Sequence, residues 1–183
     1  MIIRDLMTHP TKLSTIDAPI ITDVNPFEFR GALLEAEFLD VLIDSRRQIV
    51  GVLLEFRTAL QFQDGIAGLY VARGTRDLSW HSDLSRRDGI RAFPIGRSSA
   101  VRQGNNVEFS ISAMWDLSLS MLSEDAEFAV LDVPGMTIAP PDYTESDIPA
   151  IEAAMPSWDS PCQVIEKASW RGFDAQQRGP WSP

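Results

Sequence analysis

Cysteine and histidine are scarce in this sequence, and their scarcity excludes several kinds of chemistry. Cys162 is the single cysteine of the 183 residues, so the chain forms neither an internal disulfide nor a thiolate metal cluster. We interpret it as a small, half-buried hydrophobic residue rather than a reactive thiol. The two histidines, His9 and His81, have a spacing that matches no zinc-binding motif. We therefore predict that the protein needs no metal and no cofactor.

Long apolar runs and catalytic motifs are also missing. No apolar run approaches the ~18–20 residues that a membrane-spanning helix needs. The opening MIIRDLMTHP places a charge and a proline where a signal peptide needs an apolar stretch. These features predict a cytoplasmic protein that does not bind a membrane. Because glycine-rich phosphate loops and hydrolase, protease and calcium-loop motifs are absent, we predict a protein that is not an enzyme.

Basic residues are outnumbered, and this limits the choice of partner. The chain has 26 acidic and 16 basic residues, which gives a formal net charge of −10. Such a charge repels phosphate backbones and attracts basic proteins, so we predict no nucleic-acid binding and a protein as partner. A simpler interpretation, that the charge serves solubility, stays open.

Alternation of apolar and polar residues is what the sequence does contain. Apolar residues, with Thr58 as the one exception, occupy every second position from Val50 to Phe62, which predicts one long strand with a single face in the core. Leu39, Val41 and Ile43 alternate with Asp40 and Asp44 in a strand before it, and Ser45-Arg46-Arg47 forms the polar turn between the two. Further strands are predicted at 18–22, 66–72, 77–81, 107–113, 117–121, 127–133 and 163–170.

Turn and helix signals complete the predicted fold. Residues 82–88 are expected to form an exposed loop and 103–106 a hairpin turn. Pro94 predicts an edge strand over 92–102, because a central strand tolerates proline poorly. Ser146 is expected to cap one short C-terminal helix over 147–154.

The predicted class is α+β but β-dominated. It has about eight or nine mostly antiparallel strands in a sandwich, a bent sheet or a partly closed barrel. Residues 1–183 are predicted to form a single domain, with about 1–30 irregular and about 172–183 a frayed tail.

Acidic residues on the outward face of the first two strands are the candidate binding site. If these strands form a hairpin, Asp40, Asp44 and Glu55 share one face, and Glu35 and Glu37 precede them. Arg46, Arg47 and Arg57 lie close enough in sequence to neutralise part of this acidic strip. Trp158 lies in a loop between the helix and the last strand, where it either anchors the loop or contacts a partner. The predicted partner-binding residues are Glu35, Glu37, Asp40, Asp44, Glu55 and Trp158.

Five segments resemble small acidic immunity proteins of bacterial polymorphic toxin systems. These segments are VGVLLEFRTAL at 50–60, DLSW at 77–80, EFAVLDVPG at 127–135, PPDYT at 140–144 and PSWDS at 156–160. The resemblance implies a cytoplasmic protein that sequesters a toxin domain by surface complementarity, and it assigns no catalytic residue.

The leading hypothesis is a non-catalytic antitoxin-like protein that occludes a basic toxin domain encoded nearby. A small-molecule carrier or sensor with a cavity inside a sandwich or barrel is the main alternative. An enzyme with a carboxylate site, for example with Asp83 beside His81, and a homo-oligomer paired through edge strands stay open as well.

Overall fold

The computed structural model describes residues 1–8, 12–62, 64–82, 92–114, 117–137, 139–142 and 146–171. The predicted loop over 82–88, apart from Ser82, and the predicted tail over 172–183 lie outside this part of the chain. None of the helices in the described ranges is long and apolar enough to cross a membrane.

Nine strands form one antiparallel sheet that does not close. The strands are β1 (Glu37–Asp44), β2 (Ile49–Glu55), β3 (Ala67–Arg73), β4 (Asp77–His81), β5 (Phe93–Gln103), β6 (Asn106–Ala113), β7 (Leu117–Ser123), β8 (Asp125–Asp132) and β9 (Gln163–Arg171). Their order across the sheet is β4-β7-β6-β5-β1-β2-β3-β8-β9. The predicted β-dominated class is therefore confirmed, and of its three variants the structure adopts the bent sheet.

The bend brings the two halves of the sheet face to face around the larger hydrophobic core. Tyr70 on β3 stacks on Phe109 of β6 with ring centroids 3.9 Å apart, although the strands β5, β1 and β2 lie between β6 and β3 in the sheet. Val52 and Leu54 from β2 and Phe128 from β8 belong to the same core. The alternating apolar residues of β6 and β7 point into this core, which confirms both strands.

A second core covers the opposite face of β1, β2 and β3. Leu53 and Leu69 contribute from the strands, and Ile3 and Leu6 contribute from α1 (Ile3–Thr8). Every residue of β2 is buried as a result, whereas the sequence predicted one open face. Gly51 makes the close packing possible, because a Cβ atom there would lie 2.8 Å from the sulfur of Met7.

The helices differ from the sequence prediction at both ends of the chain. Instead of an irregular N-terminus, α1 is followed by α2 (Lys12–Thr15), and the predicted strand at 18–22 is only a bridge between Ile20 and Lys167. The predicted C-terminal helix is present as α3 (Ile148–Ala153). Its N-cap is Asp147 rather than Ser146, since the Asp147 carboxylate accepts a hydrogen bond from the Ala150 amide at 2.9 Å.

The prediction of one strand over Val50–Phe62 is wrong in its second half. β2 ends at Glu55, and the chain then turns so that the ring of Phe62 stacks on Phe56 at 4.1 Å. Of the alternating apolar positions beyond β2, Phe56 and Phe62 are buried in the turn, whereas Leu60 is 79 % exposed.

The prediction of an edge position for β5 is also wrong. β5 lies between β6 and β1, and β4 and β9 are the edges. β5 pairs with β1 only at Phe93 and Pro94, and this short pairing tolerates the proline. On its other side, the Pro94 carbonyl still accepts a hydrogen bond from the Met114 amide at 2.9 Å. The turn after β5 has Gly104 at φ +64°, as the predicted hairpin requires.

Candidate functional site

The hairpin on which the acidic strip depends is present. β1 pairs with β2 so that Glu37 lies opposite Glu55, Asp40 opposite Leu53 and Asp44 opposite Ile49. A register shift after Phe38 keeps the three β1 acids on one face together with Glu55. This face is the one that α1, Trp158 and the second core partly cover, so Glu37 and Glu55 are buried, whereas Asp40 stays exposed and Asp44 half-exposed.

Glu55 is fully buried in an ion pair with Arg57. The two guanidinium contacts run from Nε to Oε1 at 2.7 Å and from Nη2 to Oε2 at 2.5 Å, and the side chain of Arg57 is 2 % exposed. The remaining guanidinium N–H groups donate to the carbonyl oxygens of Thr137, Ala139 and Ala154 at 3.2, 3.1 and 2.7 Å. All five donors of Arg57 are therefore in use. Glu55 is removed from any partner-binding surface.

Glu37 lies beside this pair without sharing it. The residue is 8 % exposed, and no described residue donates a hydrogen bond to its buried Oε2 atom. Burial, together with the neighbouring charge of Glu55, raises the pKa of Glu37 to about 7. Glu37 is thus also withdrawn from the surface, and its charge changes near neutral pH.

The remaining acids of the strip have partners within the chain. Asp40 accepts a hydrogen bond from Nε1 of Trp158 at 2.8 Å, and Asp44 pairs with Arg47 at 3.5 Å. Trp158 is itself 7 % exposed in the second core. It therefore anchors its loop, which is one of the two roles that the sequence left open. Only Glu35 is exposed and without a carboxylate contact among the described residues.

A different acidic surface is exposed around Leu60, in the turn that replaces the second half of the predicted strand. Leu60 is 79 % exposed and lies between two grooves of about 350 and 450 Å³. Buried apolar side chains, Phe62 among them, form the groove floors. The acids that line the grooves are Asp23, Asp64, Asp132 and Glu166. We call Leu60 and these four acids the Leu60 surface.

Charge on the Leu60 surface has one sign. Arg57 is the single base among the described lining residues, and its guanidinium is buried and committed to Glu55. Glu35 lies at the margin, because the hydroxyl of Thr58 donates to the Glu35 carbonyl at 2.8 Å and Gln61 donates to the Leu34 carbonyl at 2.5 Å. No local pattern in the sequence indicates this surface, because its acids come from four separate segments and the alternation places Leu60 on the core face of a strand.

Of the other residues considered for catalysis, the structure describes His81 and Cys162. His81 ends the edge strand β4 and is exposed, and its proposed neighbour Asp83 lies outside the described residues. Cys162 is buried in the second core, in agreement with its interpretation as a hydrophobic residue. Within the described ranges, no three histidine, cysteine or acidic residues are grouped so that they could hold a metal ion.

Comparison with known proteins leaves this geometry as the basis for a functional argument. No protein-family model, no curated protein and no solved structure matches the chain.

Proposed function

We propose that this protein binds a basic partner protein at the Leu60 surface and acts by occluding it. The observation that carries the proposal is an exposed leucine between two grooves that contain buried apolar side chains and are lined by four acids. Protein interfaces commonly combine an apolar centre, which supplies affinity, with a polar rim. A rim of one sign selects partners of the opposite sign and accelerates their association.

The net charge of −10 supports the same partner class at longer range. In the form that the resemblance to immunity proteins implies, the partner is a basic toxin domain encoded nearby, and the complex forms in the cytoplasm. Binding alone suffices for protection in this proposal, so no catalytic residue is needed.

A carrier that encloses a small molecule between the halves of the sheet is less well supported. The space between the halves contains stacked rings, with Tyr70 on Phe109 and Phe56 on Phe62. The grooves beside Leu60 lie outside this core.

Co-expression with the product of the adjacent gene tests the proposal. We expect a stoichiometric complex in size-exclusion chromatography and rescue of growth from that product. Leu60→Ser should weaken the complex by at least tenfold in Kd, because it removes the apolar centre of the surface. The variant should still fold, because the Leu60 side chain is exposed. The matched control is Val101→Ser, which shortens another exposed apolar side chain on the other half of the sheet.

Charge reversal tests the contribution of the acidic rim separately from that of Leu60. Asp64→Lys should slow association and remove part of its salt dependence, whereas Asp77→Lys on β4 should change neither to the same extent. Equal effects of Leu60→Ser and Val101→Ser would reject the Leu60 surface. The absence of both complex and toxicity would reject the toxin-binding form of the proposal.

A further inference from the structure

Two carboxyl groups lie side by side at one end of the β1–β2 hairpin. Glu37 and Glu55 are direct cross-strand partners on the same face of the β1–β2 hairpin, and both are buried. Arg57, which binds Glu55, also donates to the carbonyl oxygens of Thr137, Ala139 and Ala154. We call the loop residues Thr137 and Ala139, and helix α3 with Ala154, the cover. Ile151 and Met155 pack against Ala92 and Leu39 at its helical end.

Arg57 joins the cover to the sheet, and it does so with every donor it has. Two of its N–H groups hold Glu55, and the other three hold the carbonyl oxygens of the cover. No guanidinium N–H is left for Glu37, whose Oε2 atom is buried without a donor in the described structure. A negative charge on Glu37 therefore has no stabilising contact from Arg57 unless Arg57 gives up a contact with Glu55 or with the cover.

We propose that Glu37 is a proton-controlled latch, which holds the cover on the sheet when it is protonated and releases the cover when it is ionised. The ionised form places a second negative charge beside Glu55, where the low dielectric of the interior makes repulsion strong. Opening of the cover relieves this repulsion by admitting water to both carboxylates. It also frees up to three donors of Arg57 for Glu37.

The charges around Glu37 support this direction of change. Glu55 faces it from β2, and Arg57, the cation paired with Glu55, is already committed to other acceptors. β5 places Pro94 opposite Glu37 and so brings no charge there. From the cover, α3 packs through Ile151 and Met155, and its acidic residue Glu152 is exposed.

The expected size of the effect follows from proton linkage. Burial and Glu55 raise the pKa of Glu37 from 4.5 to about 7 in the closed form. If opening restores the ordinary pKa, the equilibrium constant for opening rises about tenfold between pH 6 and pH 8.

Hydrogen exchange of the cover measures this directly. The amides of Ile151, Ala154 and Met155 donate within α3 and report its opening. After correction for the intrinsic exchange rate, their protection should fall about tenfold from pH 6 to pH 8, while remaining below that of β3 amides such as Tyr70. Glu37→Gln should remove this pH dependence. The control Glu124→Gln, which alters an exposed glutamate far from the cover, should retain it.

Three results would overturn the latch. These are pH-independent protection of α3 in the natural protein, an unchanged pH dependence in Glu37→Gln, and α3 protection equal to that of β3 at both pH values. The last result would mean that the cover opens only by global unfolding. A carbon-detected NMR titration of the Glu37 carboxyl in the natural protein provides a second test, which does not depend on the folding of a variant. An ordinary midpoint near 4.5 in the folded protein would also reject the latch.

Discussion

At the residue scale, Arg57 has the densest set of polar contacts around the acidic hairpin. It fills both oxygens of Glu55 and three backbone acceptors while its side chain is 2 % exposed. A buried ion pair is a weak source of net stability when both partners are present, because both charges lose their hydration. Removal of one partner is strongly destabilising, because the charge of the other partner stays buried and uncompensated.

We therefore expect Arg57→Met to lower the free energy of unfolding by about 3–5 kcal/mol. The double replacement Glu55→Met and Arg57→Met should be less destabilising than the single one, because it leaves no unpaired charge. Urea unfolding followed by circular dichroism measures both. Arg47→Met is the control, as its pair with Asp44 is exposed and contributes about 1 kcal/mol or less. A loss no larger for Arg57→Met than for Arg47→Met would contradict this account.

Glu37 predicts how stability depends on pH. Its pKa is raised to about 7 in the folded protein, so the folded state binds more protons than the unfolded state between pH 4.5 and 7. Its contribution to stability is therefore fully present below pH 4.5, falls through this window and levels off above it. Glu37→Gln should flatten this part of the profile and stabilise the protein at pH 8 by roughly 1–3 kcal/mol. A steeper decline in the variant than in the natural protein would show the opposite sign.

At the scale of elements, β2 and β3 are buried on both faces, and glycine makes room for their neighbours. A Cβ atom at Gly68 would lie 2.2 Å from the ring of Phe56, the residue that begins the turn after β2. The Phe56 ring also stacks on Phe62, so it has little freedom to move aside. The close approach at Gly68 therefore determines where β2 ends and the turn toward Leu60 begins.

Gly68→Ala should destabilise the protein by about 1–3 kcal/mol, because the added methyl group displaces Phe56. Gly96→Ala is a matched control in β5, where the added atom would have its nearest contact at an ordinary 3.9 Å. Thermal unfolding compares the two, and a crystal structure of the first variant should show the Phe56–Phe62 stack shifted. Equal stabilities would indicate that the turn adapts freely.

Strand positions were predictable where one face of a strand is open to water. β6 and β7 alternate between buried and half-buried residues, and the sequence located both within two residues. β2 has no such contrast, since the second core covers its other face. Its pattern of apolar residues therefore continued into the turn at 56–62 and hid the point where the strand ends.

At the scale of the whole molecule, one core joins the two halves of the sheet. Tyr70 and Phe109 stack across the bend, and β7 leads directly into β8 on the opposite half. A core shared in this way couples the halves energetically. The single domain that the sequence predicts should therefore unfold as one cooperative unit.

We expect far-ultraviolet and near-ultraviolet circular dichroism to report the same urea midpoint, and Phe109→Leu to shift both signals together. The aromatic signal from the core follows tertiary packing, whereas the far-ultraviolet signal follows the strands of both halves. Two separated transitions, or a shift confined to one signal, would mean that the halves unfold independently.

Part of the candidate site was likewise predictable from the sequence, and the rest depends on the tertiary structure. The sequence located the acidic hairpin, and the register of β1 with β2 places Asp40, Asp44 and Glu55 on one face as expected, while the register shift after Phe38 adds Glu37. The sequence also located α3 but not α1, because a helix of six residues is too short for a periodic signal. The contacts of the tertiary structure bury Glu37 and Glu55, whereas Asp40 stays exposed.

Composition and local pattern by themselves determined the acidic charge, the β-dominated class and most strand positions, because these depend on residue type and on near neighbours. The tertiary structure decided which acids face water. The Leu60 surface assembles residues from four segments, and Arg57 binds carbonyl groups as far along the chain as Ala154. Contacts across such distances leave no local pattern, since they arise only when the bent sheet brings the segments together.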